Sequence, residues 1–459
     1  MAANDQSKPK VVVIGAGFGG LTAAQKIAHL PVQLTIVDRK NHHTFQPLLY
    51  QVATAGLSPG EIAAPVRWIM RKHSNVEVLL EEITGFDLAA KKVTSQSKSL
   101  DFDYLVVASG ATHTYFGHDE WEPFAPGLKT VEDAIEIRRR VLLAFELAER
   151  DAASGIKNPP LQFVVVGGGP TGVELAGTLA EIAHQTMNGQ FRFIDPRQTR
   201  ILLIEGGPRV LATYSERLSG KAKDQLEALG VQVRTSTMVN RIEAGAVWSG
   251  DEKICAQVIL WAAGVAASPL GKKLGVPLDR AGRVLVEPDL SIPGRPEVFV
   301  IGDLASLKDK NGNLLPGVAP VAIQEGGFVA KNIARALNNE RRRDFHYFDK
   351  GSLATIGRAA AVAQFGKFEL WGYFAWLAWL FVHIFFLIGF RNRVIVMIQW
   401  ASSYLTYERG ARLITGSDRL EGWDDSSSPP ATDAPAAQSP DPPVPDRPVP
   451  TIPIDRMRA

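Results

Sequence analysis

Residues 10–20, KVVVIGAGFGG, constrain this chain more than any other stretch. Val11, Val12, Val13 and Ile14 are β-branched and uninterrupted, the pattern of a short strand buried on both faces. They run into Gly15, Gly17 and Gly20, after which Leu21, Ala23, Ala24 and Ile27 recur at helical spacing. A strand feeding a glycine turn and a helix start presents free N–H groups to a phosphate. In such a turn the first glycine permits the tight bend and the second lets backbone approach a pyrophosphate. The third lets helix and strand pack closely. Gln33 to Val37 reads as the next strand, and Asp38 ends it about 20 residues past the loop, where a carboxylate accepts ribose hydroxyls. The pattern predicts a bound dinucleotide.

The motif then occurs again. Phe163 to Val166 is apolar, Gly167, Gly169 and Gly172 repeat the spacing, Val173 to Ile182 reads as helix, and Arg200 to Ile204 is a strand ending in Glu205. The longer gap before this acid implies an insert around 188–199. Two fingerprints, each with its acid, predict two dinucleotide sites in an α/β protein. Between them, Val76 to Ile83 and Asp101 to Ala108 read as strands, the latter closing in the small-residue turn Ser109-Gly110-Ala111. Val258 to Trp261 closes the second half in the same way with Ala262-Ala263-Gly264. Val298 to Ile301 delivers Gly302-Asp303, an acid suited to a flavin's ribityl or pyrophosphate region. Thr130 to Arg150 is an amphipathic helix with Arg138 to Arg140 on its wet face.

Composition narrows the chemistry. Fifty Lys and Arg against 48 Asp and Glu leave a formal charge of +2 and no basic cluster beyond Arg341–Arg343, so no nucleic-acid partner is expected. The single cysteine, Cys255, rules out an intrachain disulfide and reads as structural. His42-His43 lacks further ligands at metal spacing, so no metal is expected. The polar start, residues 1–10, has no secretory pattern, which predicts a cytoplasmic catalytic body. From Trp371 to Phe390 there are twenty residues without a charge, followed by Arg391, Arg393 and a second apolar run, Val394 to Trp400. One membrane span, burial in a protein interface, and an interfacial helix pair all accommodate this run. The tryptophans in its first half, His383 and the flanking arginines favour the interfacial reading. The tail from Asp424 is Pro-, Ser- and Asp-rich and predicts disorder.

Taken together, GAGFGG, NHHTFQPLLYQVATAGLSPGEIA, ASGATHTYFGHDEW, GGGPTGVELAG, VFVIGDLA, GVAPVAIQEG and the aromatic segment ending in GFRNR resemble the type II NADH:quinone dehydrogenases over residues 8–422. The resemblance implies two Rossmann-like domains and a C-terminal membrane-associating helical segment. Residues 8–115 with 289–345 would bind FAD, 116–288 would bind NADH, 346–422 would anchor the chain or form a homodimer, and 423–459 would be the disordered tail. Hydride would pass from NADH to FAD, and two electrons would reduce a membrane quinone without proton pumping, at the cytoplasmic face of the cell membrane.

Residue by residue, the resemblance assigns Gly15, Ala16, Gly17, Phe18, Gly19 and Gly20 to the FAD pyrophosphate. Asp38 and Arg39 fall at the adenosine ribose, Ile83 near the adenine, Gly110 in the cofactor-side turn, and Asp303 at the ribityl chain. Gly167, Gly169, Gly172 and Glu205, with Gly264 in the matching turn, would hold NADH. By the same resemblance Glu174 would be the acid near flavin and quinone. Ala319, Pro320, Val321 and Gln324 occupy the quinone motif A-Q-x-A-x-Q, with proline at its first glutamine. A reductase of a ferredoxin- or rubredoxin-like protein has no use for the C-terminal aromatic run. A sulfide:quinone reductase needs two reactive cysteines. A non-enzymatic redox sensor holding both nucleotides is separated from the enzyme by steady-state turnover.

Overall fold

The structure, a computed structural model, describes residues 8–388, 390–406 and 409–415. The Pro-rich tail, expected to be disordered, lies outside them. The first glycine motif opens the central strand of a six-stranded sheet, ordered Ser291–Ile292, Arg295–Val300, Tyr104–Val107, Lys10–Ile14, Gln33–Asp38 and Val76–Leu80. All neighbours pair in parallel except the first two. Val11, Val13, Leu34, Ile36, Val106 and Phe299 form the core on one face with the helices Phe18–Ile27 and Ala319–Leu337. Those helices touch backbone to backbone, because a Cβ on Gly326 would fall on the Gly19 carbonyl.

The second motif builds a four-stranded parallel sheet, ordered Val231–Arg234, Arg200–Ile204, Gln162–Val166 and Val258–Trp261. An antiparallel ribbon, Ala111–His113 with Val265–Ala267, marks the crossing between the halves. Just beyond it, Leu274 and Val284 are buried among Val12, Ile14 and Val300, so this stretch packs on the first sheet although the sequence reading grouped it with the second half.

Three local expectations need correction. The apolar stretch 76–83 is not one strand: Val76–Leu80 belongs to the large sheet, and Ile83–Asp87 starts a separate antiparallel meander. The break falls at Glu81-Glu82, where Glu81 N–H makes the last ladder bond, to Asp38 O. The helix Val131–Ala153 is capped by Thr130 in a reciprocal box with Asp133, but Arg138 is buried rather than wet, while Arg139 and Arg140 both pair with Glu136. Cys255 ends an exposed strand edge and is itself exposed, not a core residue.

The C-terminal part begins with a three-stranded antiparallel sheet, Ser352–Gly357, Ala360–Phe365 and Phe368–Trp371. It lies directly on the second motif's helix, Pro170–Glu181, since a Cβ on Gly177 would fall on the Ile356 carbonyl. The uncharged run forms a helix only over Tyr373–Phe386, and a second helix covers Phe390–Thr406. Fourteen residues reach about 21 Å, short of the roughly 30 Å of hydrocarbon in a bilayer. Among the described residues no helix is long and apolar enough to cross a membrane. Nor is the hairpin a loose appendage. Trp379, Leu387 and Val396 are buried in the main core, whereas Phe374, Phe381 and Phe385 on the opposite face are 70%, 70% and 58% exposed.

Candidate active site

The two glycine turns share one construction. Gly15 and Gly167 have φ of +93° and +110°, open only to glycine, and a Cβ on either would strike the strand beside it, at Ala108 and Ala262. A Cβ on Gly20 or Gly172 would fall on the carbonyl of Gly15 or Gly167, which is how closely helix and turn are packed. At Gly17 and Gly169, by contrast, a Cβ would meet no protein atom. The backbone there borders open space at a helix start, the cradle a pyrophosphate requires.

The acids repeat as well. Asp38 accepts N–H bonds from Ala16 at 2.6 Å and from Lys40 at 2.7 Å. Glu205 accepts from Gly168 at 2.5 Å and from Gly207 at 2.6 Å. Each carboxylate thus ties its strand end to the middle of its glycine turn, and each keeps lone pairs for further donors. The first cation after Glu205, Arg209, is committed to the carbonyls of Tyr214 and Ala212, both at 2.7 Å.

A cleft of about 2050 Å³ runs along the first turn. Its walls include Gly15, Ala16, Gly17, Phe18, Gly19, Asp38, Arg39, Ile83, Gly110, Asp303, Ala319 and Pro320. Pro170, Thr171 and Glu174, from the helix of the second motif, line the same cleft. Glu174 is five residues past the Gly169 cap, beyond the turn over which a helix dipole acts, so simple helix-end stabilisation does not account for it. Burial pushes its carboxyl up to about 8 against the opposing Thr355 N–H bond, so at neutral pH it is mostly protonated. On the far wall, Val382, His383, Phe386 and Ile388 close the cleft from the C-terminal hairpin. His383 stacks on Trp379 at 4.3 Å between centroids and donates Nδ1–H to its carbonyl. Burial lowers its pKa to about 4, so it is neutral.

Several expected residues lie elsewhere. Gly20 and Val321 are buried behind the cleft, Gly264 is covered by Phe116, and Gly167, Gly169, Gly172 and Glu205 form the separate second turn. Gln324, expected at the quinone, is not on the cleft wall. Its amide is bonded at both ends to Phe348, donating to the carbonyl at 2.9 Å and accepting from the N–H at 3.0 Å. Its neighbours Ala322 and Ile323 face the cleft instead. Pro320 sits in the helix's first turn, where a missing N–H costs nothing, so the proline suits the helix start while removing a polar side chain. Of the histidine pair, His42 Nδ1 bonds Asn41, and His43 donates Nδ1–H to Ala16 O at 2.8 Å, bracing the first turn.

Sequence reasoning missed three residues. Lys129 reaches across the cleft to Asp303 at 3.7 Å. His383 entered the sequence reading only as an argument for an interfacial helix, not as a residue of the cleft. Glu325 is buried at 1% exposure, and its Oε2 accepts the Gly302 N–H at 2.5 Å. Adjacency to Gln324 hid it, since nothing in the pattern marks a glutamate in a helix as buried.

Known proteins are similar to this chain over most of its length. A family model described as pyridine nucleotide-disulphide oxidoreductase matches residues 9–326, and one described as the NDH2 C-terminal domain matches residues 349–407. The chain is 45% identical over 424 residues to the type II NADH:quinone oxidoreductase NdhA of Mycobacterium tuberculosis, covering 88% of this chain and 89% of that one. It is 32% identical over 372 residues to the type II NADH:quinone oxidoreductase of Staphylococcus aureus, covering 79% and 91%. In fold it is similar to NDH2 from Plasmodium falciparum in complex with NADH, with a TM-score of 0.80 at 22% identity over 88% of this chain and 99% of that one. With 45% identity over most of both chains, and a C-terminal family model of the same lineage, the chain belongs to the type II NADH:quinone oxidoreductase family.

Proposed function

We propose that this protein is a respiratory NADH:quinone oxidoreductase that holds FAD on the first glycine turn and NADH on the second, and that takes its quinone from the membrane against which its C-terminal hairpin lies. One observation carries the reading: the helix that starts at the second turn delivers Thr171 and Glu174 into the cleft that runs along the first. A nucleotide bound at each turn would then bring its reactive ring to the same space. Bound flavin supplies the hydride acceptor and passes two electrons onward.

The chain's own residues supply the rest. Gly17 and Gly169 leave room for the pyrophosphates, while Asp38 and Glu205 offer lone pairs to the ribose hydroxyls. Arg209 is already engaged by two carbonyls rather than offered to a 2′-phosphate, which favours NADH over NADPH. Asp303, braced by Lys129, faces the ribityl position. Ile323, Val382, His383 and Phe386 make an apolar, uncharged wall suited to a quinone ring. Glu174, protonated at neutral pH, holds a proton where hydroquinone formation needs one. The exposed face of Phe374, Phe381 and Phe385 is on the helix that lines the cleft, so lipid contact and quinone entry coincide. This reading places the protein peripherally at the cytoplasmic face, where NADH would be supplied. The aromatic face also disfavours a ferredoxin-type protein acceptor, which would dock through charge.

Glu174→Gln tests the reading. It should keep its FAD and its rate of flavin reduction by NADH while quinone-linked turnover falls about a hundredfold or more, the low end of the 10²–10⁴-fold that a general acid contributes. Unchanged turnover would make Glu174 a structural residue.

A further inference from the structure

A second, smaller cavity of about 110 Å³ lies behind Glu174, away from the main cleft. Its walls bring together the helix Leu49–Ala53, the end of the helix Pro170–Glu181, the strand Ser352–Gly357 and the C-terminal hairpin. Unlike the quinone-facing wall it is polar on several sides: Tyr50, Thr178, Glu181, Thr355 and Arg409 all line it. Three of these are one layer from Glu174. Thr355 gives its N–H to the Glu174 carboxyl, Thr178 Oγ1 donates to the Glu174 carbonyl at 2.5 Å, and Glu174, when ionised, pushes the buried Tyr50 phenol further up.

Two observations indicate that the cavity holds water. Trp379, 2% exposed, lines it, and its Nε1–H is buried without a hydrogen-bond partner among the described residues. Buried donors in native proteins are nearly always satisfied, by water where protein offers nothing. Tyr50 accepts a bond from Gln51 Nε2 at 2.8 Å, and no acceptor for its own proton stands among the described residues. The volume has room for about three waters at roughly 30 Å³ each. On the outer side Gln51, Gly56 and Glu181 are only half-buried. Arg409 is fixed there by Glu181 at 2.9 Å and by the Thr54 carbonyl at 2.9 Å, so the polar rim is braced rather than open to collapse.

We propose that this chamber is the inlet through which a solvent proton reaches Glu174, with Tyr50 holding the water that delivers it. The inference rests on the reading of Glu174 as the quinone-side acid. NADH, one solvent proton and the quinone give NAD⁺ and the hydroquinone. The hydride accounts for two electrons and one proton, and the chamber carries the other. Glu174 releases its proton to a quinone oxygen and becomes a carboxylate. Chamber water held by the Tyr50 hydroxyl passes a proton to that carboxylate and is replenished from solvent past Gln51 and Glu181. The main cleft is thereby relieved of admitting bulk water beside the quinone. Tyr50 touches neither quinone nor cofactor in this scheme and acts through Glu174.

Tyr50→Phe removes one hydroxyl from an otherwise retained ring. In the FAD-loaded protein it should leave the melting temperature, flavin reduction by NADH and electron transfer to ferricyanide (which takes no proton) unchanged. Flavin reoxidation by quinone should slow about tenfold, with a solvent deuterium effect larger than in the parent. Independently of turnover, a high-resolution structure of the loaded parent should show ordered water within hydrogen-bond reach of Trp379 Nε1 and Tyr50 Oη. Unchanged quinone reoxidation in Tyr50→Phe beside a slowed Glu174→Gln overturns the inlet and leaves the role of Glu174 standing. If both variants are unchanged, both readings fall. A dry chamber overturns the inlet alone.

Discussion

Glu325 should make the stability of this protein fall as pH rises through neutrality, and Glu325→Gln should remove that share of the fall. The side chain is 1% exposed, and its carboxyl is pushed up from 4.5 to about 8. Burial is the main cause and the Asp303 charge adds to it, against the Gly302 N–H bond. An acid whose folded pKa lies above its unfolded value keeps its proton longer in the native state. Its contribution is therefore intact below about 4.5, declines as pH rises between about 4.5 and about 8, and is constant beyond. The slope in that window is about 1.4 kcal/mol per pH unit, so from about pH 5.5 to about pH 7.5 the loss is ~2.7 kcal/mol. Unfolding entropy of about 2.1 cal/mol/K per residue, over roughly 400 ordered residues, converts this to about 3 °C. Glutamine is the same size, carries no proton to lose, and keeps an oxygen for the Gly302 N–H. Thermal unfolding of the flavin-loaded protein across this pH range is the assay. Glu174 contributes a slope of the same sign in both proteins, so the difference between them isolates Glu325. Melting curves with the same pH dependence, within about 1 °C, refute the reasoning.

Three further outcomes are expected. Gly17→Val should fold, since a Cβ there meets no protein atom, yet purify without flavin colour; full visible absorbance would remove the first turn from the FAD site. Glu205→Gln should narrow the preference for NADH over NADPH about tenfold in kcat/KM, and equal use of both nucleotides by the parent would count against the second site. Replacing Phe374, Phe381 and Phe385 together with serine should abolish co-sedimentation with anionic lipid vesicles, because each ring is worth roughly 1.5–3 kcal/mol on burial. The melting temperature and ferricyanide reduction should hold, and undiminished vesicle binding would refute the docking face.

The sequence by itself determined the two halves, their order and their turns. Alternating demands of buried strand, positive-φ glycine and helix start leave one local solution, and Asp38 and Glu205 each lie where the next parallel strand must end. It also showed that the C-terminal run needs an apolar environment, because a charge-free aromatic stretch admits no solvated alternative. Tertiary structure decided what depends on distant residues meeting. That Trp379 turns inward while Phe381 turns outward follows from a helix whose two faces are equally apolar, so periodicity carries no information about which face is buried. Gln324 matches its motif, but the passing backbone of Phe348 takes both ends of its amide. Glu174 and Glu325 are acids whose burial is imposed by strands and turns far along the chain, around Thr355 and Gly302. Local sequence sets what a residue is able to do, and packing sets the dielectric and the partners, which decide whether it holds its proton.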